Sequence, residues 1–300
     1  MEVAVLEQLL RDDPDDVAAW HSYADALVEQ GDPRGTLILL EHRLRHVGPA
    51  DAEALSAEMA ALTERHQPEW NAELPPGVSV LARRNGFATK VGVTWSDEAP
   101  KLIEQALEGR FVTGLRIRPA DDAAPAADDA DDGDADEDDE GDGRTRPVDI
   151  GALVGLSLDR LTELDLSYLP VGESGTSLLA ELLTDRLTAL DLRYCGIGDA
   201  GLAAFAATAR FNRLRRLRLQ YNGVTADGVR LLWLFDQLTD LDLRYNAIGE
   251  EGAKALAEAP FAGSLQRLFL DPDDIGEEGV AALASSRRLS PVLRSYWRSV

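Results

Sequence analysis

Leu187-Thr188-Ala189-Leu190-Asp191-Leu192-Arg193-Tyr194-Cys195-Gly196-Ile197-Gly198-Asp199-Ala200-Gly201 decides the fold. Its leucines at positions one, four and six recur in copies that start at Leu161, Leu214, Leu238 and Leu265, spaced 26, 27, 24 and 27 residues apart. A unit of this length cannot bury its apolar face alone, so copies stack and share one core. Within each copy the alternation predicts a short strand: the leucines face the core and the residues between them face the other way. A turn follows, as in Asn222-Gly-Val224-Thr-Ala-Asp227-Gly228 and Asn246-Ala-Ile248-Gly-Glu250-Glu-Gly252. Asn222, Asn246 and Cys195 stand where a side chain can bond to exposed backbone, glycines allow positive φ or close approach, and acidic residues suit the start of a helix. Leu202 and Phe205, Val229 and Leu232, Ala255 and Leu256, and Val280 and Leu283 supply the helical layer.

The period extends backwards. Val112-x-x-Leu115-x-Ile117 and Ala88-x-x-Val91-x-Val93 fit the triplet, with a helical stretch (Leu102, Ile103, Leu107) between them. Removing residues 121–143 restores one normal period between Val112 and Leu161. That stretch, with thirteen acidic residues between Asp121 and Asp142, therefore reads as an insertion within a repeat. Its composition cannot build a core, so disorder is expected, with two readings: a solubilising loop, or an arm folding back on the arginines of the repeats. The chain returns in a helix containing Ile150, Leu153 and Leu156. At the other end Leu289-x-x-Val292 has Arg294 in the third leucine position, and Pro291 suits only an edge strand, so 289–300 reads as a degenerate cap. Residues 1–70 read as four helices. Leu6, Leu9 and Leu10 share a face of the first; Val17, Trp20, Tyr23, Ala24 and Leu27 lie on the second; Leu37, Leu39, Leu40 and Leu44 lie on the third; the fourth covers about 51–65.

The long Gly-Asp/Glu-x-Gly form of residues 161–286 resembles ribonuclease-inhibitor-type leucine-rich repeats. Leu9-Leu10-Arg11-Asp12-Asp13-Pro14-Asp15-Asp16, Tyr23-Ala24-Asp25-Ala26-Leu27 and Gly31-Asp32-Pro33-Arg34-Gly35 resemble the bacterial repeat-companion domain, with Gly86-Phe87 similar to its junction with the repeats. His21-Ser22, where a branched apolar residue is usual, and the acidic insert depart from that pattern. The resemblances imply an α/β fold: a leucine-rich repeat horseshoe, one parallel strand plus helix per repeat, with an N-terminal all-helical domain. The division expected is 1–85 as companion domain and cap, and 86–300 as the repeat solenoid, the two folding as one cooperative unit. They also imply a binding module that takes a protein partner, or, in the alternative, a protein inhibitor of an enzyme; hydrolase activity in the helical domain is the remote reading.

Composition narrows the function. A formal net charge of -24 disfavours nucleic acid and anionic membrane as partners. No apolar run approaches a membrane span, and Met1-Glu2-Val3 lacks the positive region of a signal peptide, so a cytoplasmic monomer is expected. Cys195 is the single cysteine, and no nucleophile elbow, phosphate loop or zinc motif is present, so neither an enzyme nor a cofactor is expected. His42 and His46 stand at i and i+4, a metal-compatible spacing, but no third ligand is near in sequence and Arg43 and Arg45 interleave; surface histidines are the expectation. The Asp132-Gly-Asp134-Ala-Asp136 run fails as a calcium loop, because Glu137 stands where glycine is required.

Two sets of side chains are the candidate partner-binding residues. Position eight of the repeats carries Trp95, Tyr168, Tyr194, Tyr221 and Tyr245, expected to stack as a row along one rim. Positions three, five and seven place Arg116, Arg118, Arg193, Arg216, Arg218, Arg244 and Arg267 with Asp165, Asp191 and Asp242 on the concave face. These arginines would meet an anionic partner, or else pair with their own aspartates, as Arg218 with Asp191 or Asp242.

Overall fold

The leucine triplets form buried columns. In the computed structural model, which describes residues 3–120, 149–208 and 210–300, Leu161, Leu164 and Leu166 and their counterparts in the next copies are almost fully buried. The acidic stretch 121–143 lies outside the described residues.

The element order begins with α1 (Val3–Asp12), α2 (Val17–Glu29), α3 (Pro33–Leu44) and α4 (Pro49–Asn71), then β1 (Val78–Arg84), β2 (Phe87–Thr94), α5 (Ala99–Leu107) and β3 (Gly114–Arg118). The repeats follow as β4 (Glu163–Asp165), α6 (Gly172–Leu182), β5 (Ala189–Asp191), α7 (Gly198–Thr208), β6 (Arg216–Arg218), α8 (Ala226–Leu231), β7 (Asp240–Asp242), α9 (Gly249–Glu258), β8 (Arg267–Phe269) and α10 (Pro272–Ser285), closed by α11 (Pro291–Ser299). The chain divides into two compact units, 1–92 with 101–114, and 93–100 with 115–300.

In the first unit Leu6, Leu10, Trp20, Tyr23, Leu27 and Ile38 pack around Phe87 and Phe111. Asp16 and Asp32 cap α2 and α3 with their side-chain oxygens. Gly35 lets α3 lie hard against α2: a Cβ there would stand 2.6 Å from the Ala24 carbonyl oxygen. Two expectations change. Leu9 and Val17 are exposed, because the helices bury narrower stripes than the leucine count suggests. Residues 78–84 are a strand, so the N-terminal part is not all helical. Asn85 and Gly86, both at positive φ, make the two-residue turn that pairs β1 with β2.

In the second unit β4 to β8 are parallel and in register, Leu164 beside Leu190, Leu217, Leu241 and Leu268. Each helix packs on the next in chain order, and a recurring glycine permits the approach. At Gly228 a Cβ would lie 2.1 Å from Asp199 Oδ1, which itself accepts from the Thr225 backbone N–H. The helix expected at Ile150–Leu156 is a single 3-10 turn, Ile150–Leu153, because Gly155 at φ 98 leaves the helical region. The closing residues are a helix rather than an edge strand: Ser290 caps it, Pro291 takes the first turn where no N–H is needed, and Leu293 and Trp297 are buried while Val292 faces solvent.

Candidate functional site

After β4, β5, β6 and β7 the backbone turns through a left-handed residue, and in all four repeats that residue is a tyrosine. Tyr168, Tyr194, Tyr221 and Tyr245 have φ of 67, 56, 55 and 59°. Glycine or asparagine is the usual occupant of this region, since a Cβ crowds the following carbonyl. The tyrosines nevertheless remain in the ladder, Tyr168 N–H donating to the Arg193 carbonyl and Tyr194 N–H to that of Gln220. The rings point the same way and stack, with centroids 4.8, 4.2 and 4.3 Å apart and planes within 15–17° of parallel. Tyr194 and Tyr221 are each 38% exposed and Tyr245 44%. The ring faces cover one another, so edges and hydroxyls meet solvent. The Tyr194 hydroxyl is held well above the ordinary phenol value, by burial first and then by its hydrogen bond with Tyr221. Trp95 stands apart from this row: the repeat between it and Tyr168 has Pro119 at position eight, so no ring bridges them.

Directly behind the tyrosines runs a ladder of side-chain amides. Asn222 Oδ1 accepts from the N–H groups of Cys195 and Ile197, both at 3.2 Å, and its Nδ2 donates to the carbonyls of Leu192 and Gln220. Asn246 does the same one repeat on, accepting from Asn222 and Val224 and donating to the Leu219 carbonyl. The Cys195 thiol donates to the Leu166 carbonyl at 3.2 Å, the equivalent bond. Burial pushes that thiol above its ordinary value, which keeps the proton that makes this bond.

The charged candidates pair among themselves. Arg116 lies 3.3 Å from Asp165, Arg193 3.0 Å from Asp191, Arg218 3.5 Å from Asp191 and Arg244 2.9 Å from Asp242. Arg216 meets Glu163 at 2.6 Å and Arg267 meets Asp240. Arg118 is exposed at the end of β3. Of the two partners expected for Arg218, Asp191 is the one it takes; Asp242 is occupied by Arg244 and by Gln220 Nε2 at 2.7 Å. Asp165, Asp191 and Asp242 each also accept the backbone N–H two residues on, which locks the strand end before the tyrosine. On this face the sequence reading did not single out Phe269. Phe269, 42% exposed, fills a position that is charged in the preceding repeats, and the Arg244 guanidinium sits 5.1 Å from its ring centre.

Asp191 carries a pH consequence. Its carboxyl is raised above the ordinary 3.8 by burial first and then by repulsion from Asp165, and the hydrogen bond and charge of Arg193 do not reverse this. A higher value in the folded state means the folded chain holds that proton more tightly. Ionisation of Asp191 therefore costs stability above the raised value, and the cost disappears as pH falls through the window down to the unfolded value. The unfolding free energy of the intact chain minus that of Asp191→Asn should shift in favour of the intact chain as pH falls from about 7 to about 4. Denaturant titrations at both pH values measure it, and a shift the other way contradicts the stated cause.

The geometry has a counterpart among known families. Residues 187–206 and 238–257 match the Leucine Rich repeat model. No curated protein matches the chain. The tyrosine row and the paired-charge face are thus surfaces of a chain that carries leucine-rich repeats.

Proposed function

We propose that the chain is a protein-binding module whose contact surface is the row Tyr168–Tyr194–Tyr221–Tyr245, with the paired-charge face and Phe269 beside it. The observation that carries this reading is the conformation of the tyrosines. A bulky residue at positive φ in four successive repeats is locally unfavourable, and strain of that kind gathers at functional positions. Leucine-rich repeats generally mediate protein–protein interaction, and exposed tyrosines supply large contact area at low entropic cost. The arginines act in orientation and specificity, since their charge is already offset by Asp165, Asp191, Asp242 and their neighbours.

We take the first unit as a repeat-companion domain that caps or docks, and the setting as the bacterial cytoplasm, in keeping with one buried thiol and, among the described residues, no helix long and apolar enough to cross a membrane. The partner is a protein rather than nucleic acid, given the acidic balance of the chain. We place no catalytic step on these residues. A ribonuclease-inhibitor-like role is a special case of the same surface, in which the partner is an enzyme covered at its own site.

Photo-crosslinking tests the surface. A photoreactive side chain at Phe269 or Tyr245 should capture a partner from a lysate, whereas one at Lys254 on α9 should not. Capture from Lys254 alone would move the contact to the helical side. Substrate turnover by the protein alone would instead favour an enzyme.

A further inference from the structure

Three imidazoles gather in the first unit. His21 on α2 and His42 on α3 have ring centres 4.1 Å apart with planes at 76°, and His42 and His46 are 4.6 Å apart. Packing holds them there, because Gly35 lets α3 lie hard against α2. His46 Nδ1 donates to the His42 carbonyl oxygen at 2.9 Å, which leaves Nε2 as the place where a further proton lands. His21 and His42 are half-buried, so water screens a charge there less than on the open surface.

The middle ring is the worst placed to carry a charge. A protonated His42 would stand between two further imidazoles, each able to take a proton, with Arg45 on the next turn of its own helix. The small void beside His21 and His42 is lined by two carboxylates, Asp15 and Glu41, and by two guanidinium groups, Arg45 and Arg84. Those charges balance, and Arg84 already holds Asp15 at 3.0 Å. Asp25, one turn beyond His21 on α2, is exposed and forms no ion pair with it among the described residues. Helix α4 also packs on α3, and none of its carboxylates is among the charges that act on His42. His42 is accordingly held below its ordinary value, by lost hydration first and then by His21, His46 and Arg45.

We propose that the three imidazoles are an acid-sensitive clasp: neutral rings let α3 lie against α2, and their protonation as the surroundings acidify drives them apart and loosens this pair of helices. The sign follows from the middle ring. A folded value below the unfolded one means that the folded chain takes up the proton less readily. The packing is therefore at full strength above the unfolded value of 6.5 and weakens as pH falls from there through the lowered one.

Hydrogen exchange of the full chain, followed by mass spectrometry at about pH 7.5 and about pH 5.5, tests this once rates are referred to unstructured peptide at each pH. Peptides from α2 and α3 should lose at least about threefold in protection at the lower pH, and peptides from the repeat helices should not follow. His21→Asn should abolish most of that loss and His46→Asn part of it. His66→Asn on α4, outside the cluster, should leave it intact. Circular dichroism checks the fold of each variant, and the exposed position of His46 lets that variant decide should His21→Asn fold poorly. No loss in the intact chain, an equal loss across the repeats, or an undiminished loss in the cluster variants overturns the clasp.

Discussion

Asn222→Ala should lower the free energy of unfolding by about 3–5 kcal/mol, among the largest effects of any single substitution in the repeats. The side chain is nearly fully buried and makes four hydrogen bonds, two accepted from the preceding repeat and two donated to carbonyls on either side. Alanine leaves the N–H groups of Cys195 and Ile197 and the carbonyl of Leu192 without that partner, while the Gln220 carbonyl keeps the Tyr194 N–H. Each buried orphan costs about 1–3 kcal/mol, partly relieved where water enters. Asn222→Asp should fall between the two, since it keeps an acceptor for both N–H groups but has nothing to donate. Denaturant midpoints at unchanged slope measure both variants. A loss under about 1 kcal/mol for alanine would mean the amide ladder is incidental to the stacking.

The second large effect concerns binding. Tyr194→Gly combined with Tyr221→Gly should cost a partner about 2 kcal/mol or more, about 30-fold in affinity, while the chain melts close to its normal temperature. Removing both rings deletes every stacked pair in the row, each worth about 0.5–1.5 kcal/mol. Glycine offsets this, because φ of 56 and 55° no longer carries the left-handed penalty of roughly 1–2 kcal/mol per residue. The corresponding alanine pair keeps that penalty and should melt lower. Melting curves and titration against the crosslinked partner separate the two readings. Should the glycine pair unfold yet bind normally at temperatures where it is folded, the row is packing and the contact lies elsewhere.

The strand register and the tyrosine row were legible because both follow a fixed period: the leucines at one, four and six set which residues face away, and position eight recurs with them. The left-handed backbone of the tyrosines was not legible, since a position number does not carry φ and the residue type argued against it. The pairing of Arg244 with Asp242, in place of Arg218, depends on the aspartate folding back onto its own strand end, a geometry absent from the alternation pattern. The contact between His21 and His42 was hidden for the opposite reason: packing of two helices brings the rings together, and no spacing rule connects them. Strand β1 was missed because Val78–Arg84 shows no clean alternation, and its signal was the Asn85-Gly86 turn behind it. The closing helix was misread because Leu289-x-x-Val292 imitates half a triplet, while Ser290 and Pro291 are a helix start.

The amide ladder also has a direction. Cys195, Asn222 and Asn246 each donate backwards to the carbonyl at position six of the preceding copy, so any copy with such a side chain can follow any other. In the last copy Asp274 takes over, accepting from the N–H groups of Ile248 and Gly249 and having no amide hydrogen to give. An interior copy such as 214–237 carries matching connectors on both sides, so a gene duplication there would lengthen the protein without redesign. The array is extensible from within, and lineages carrying it should differ in the number of middle copies.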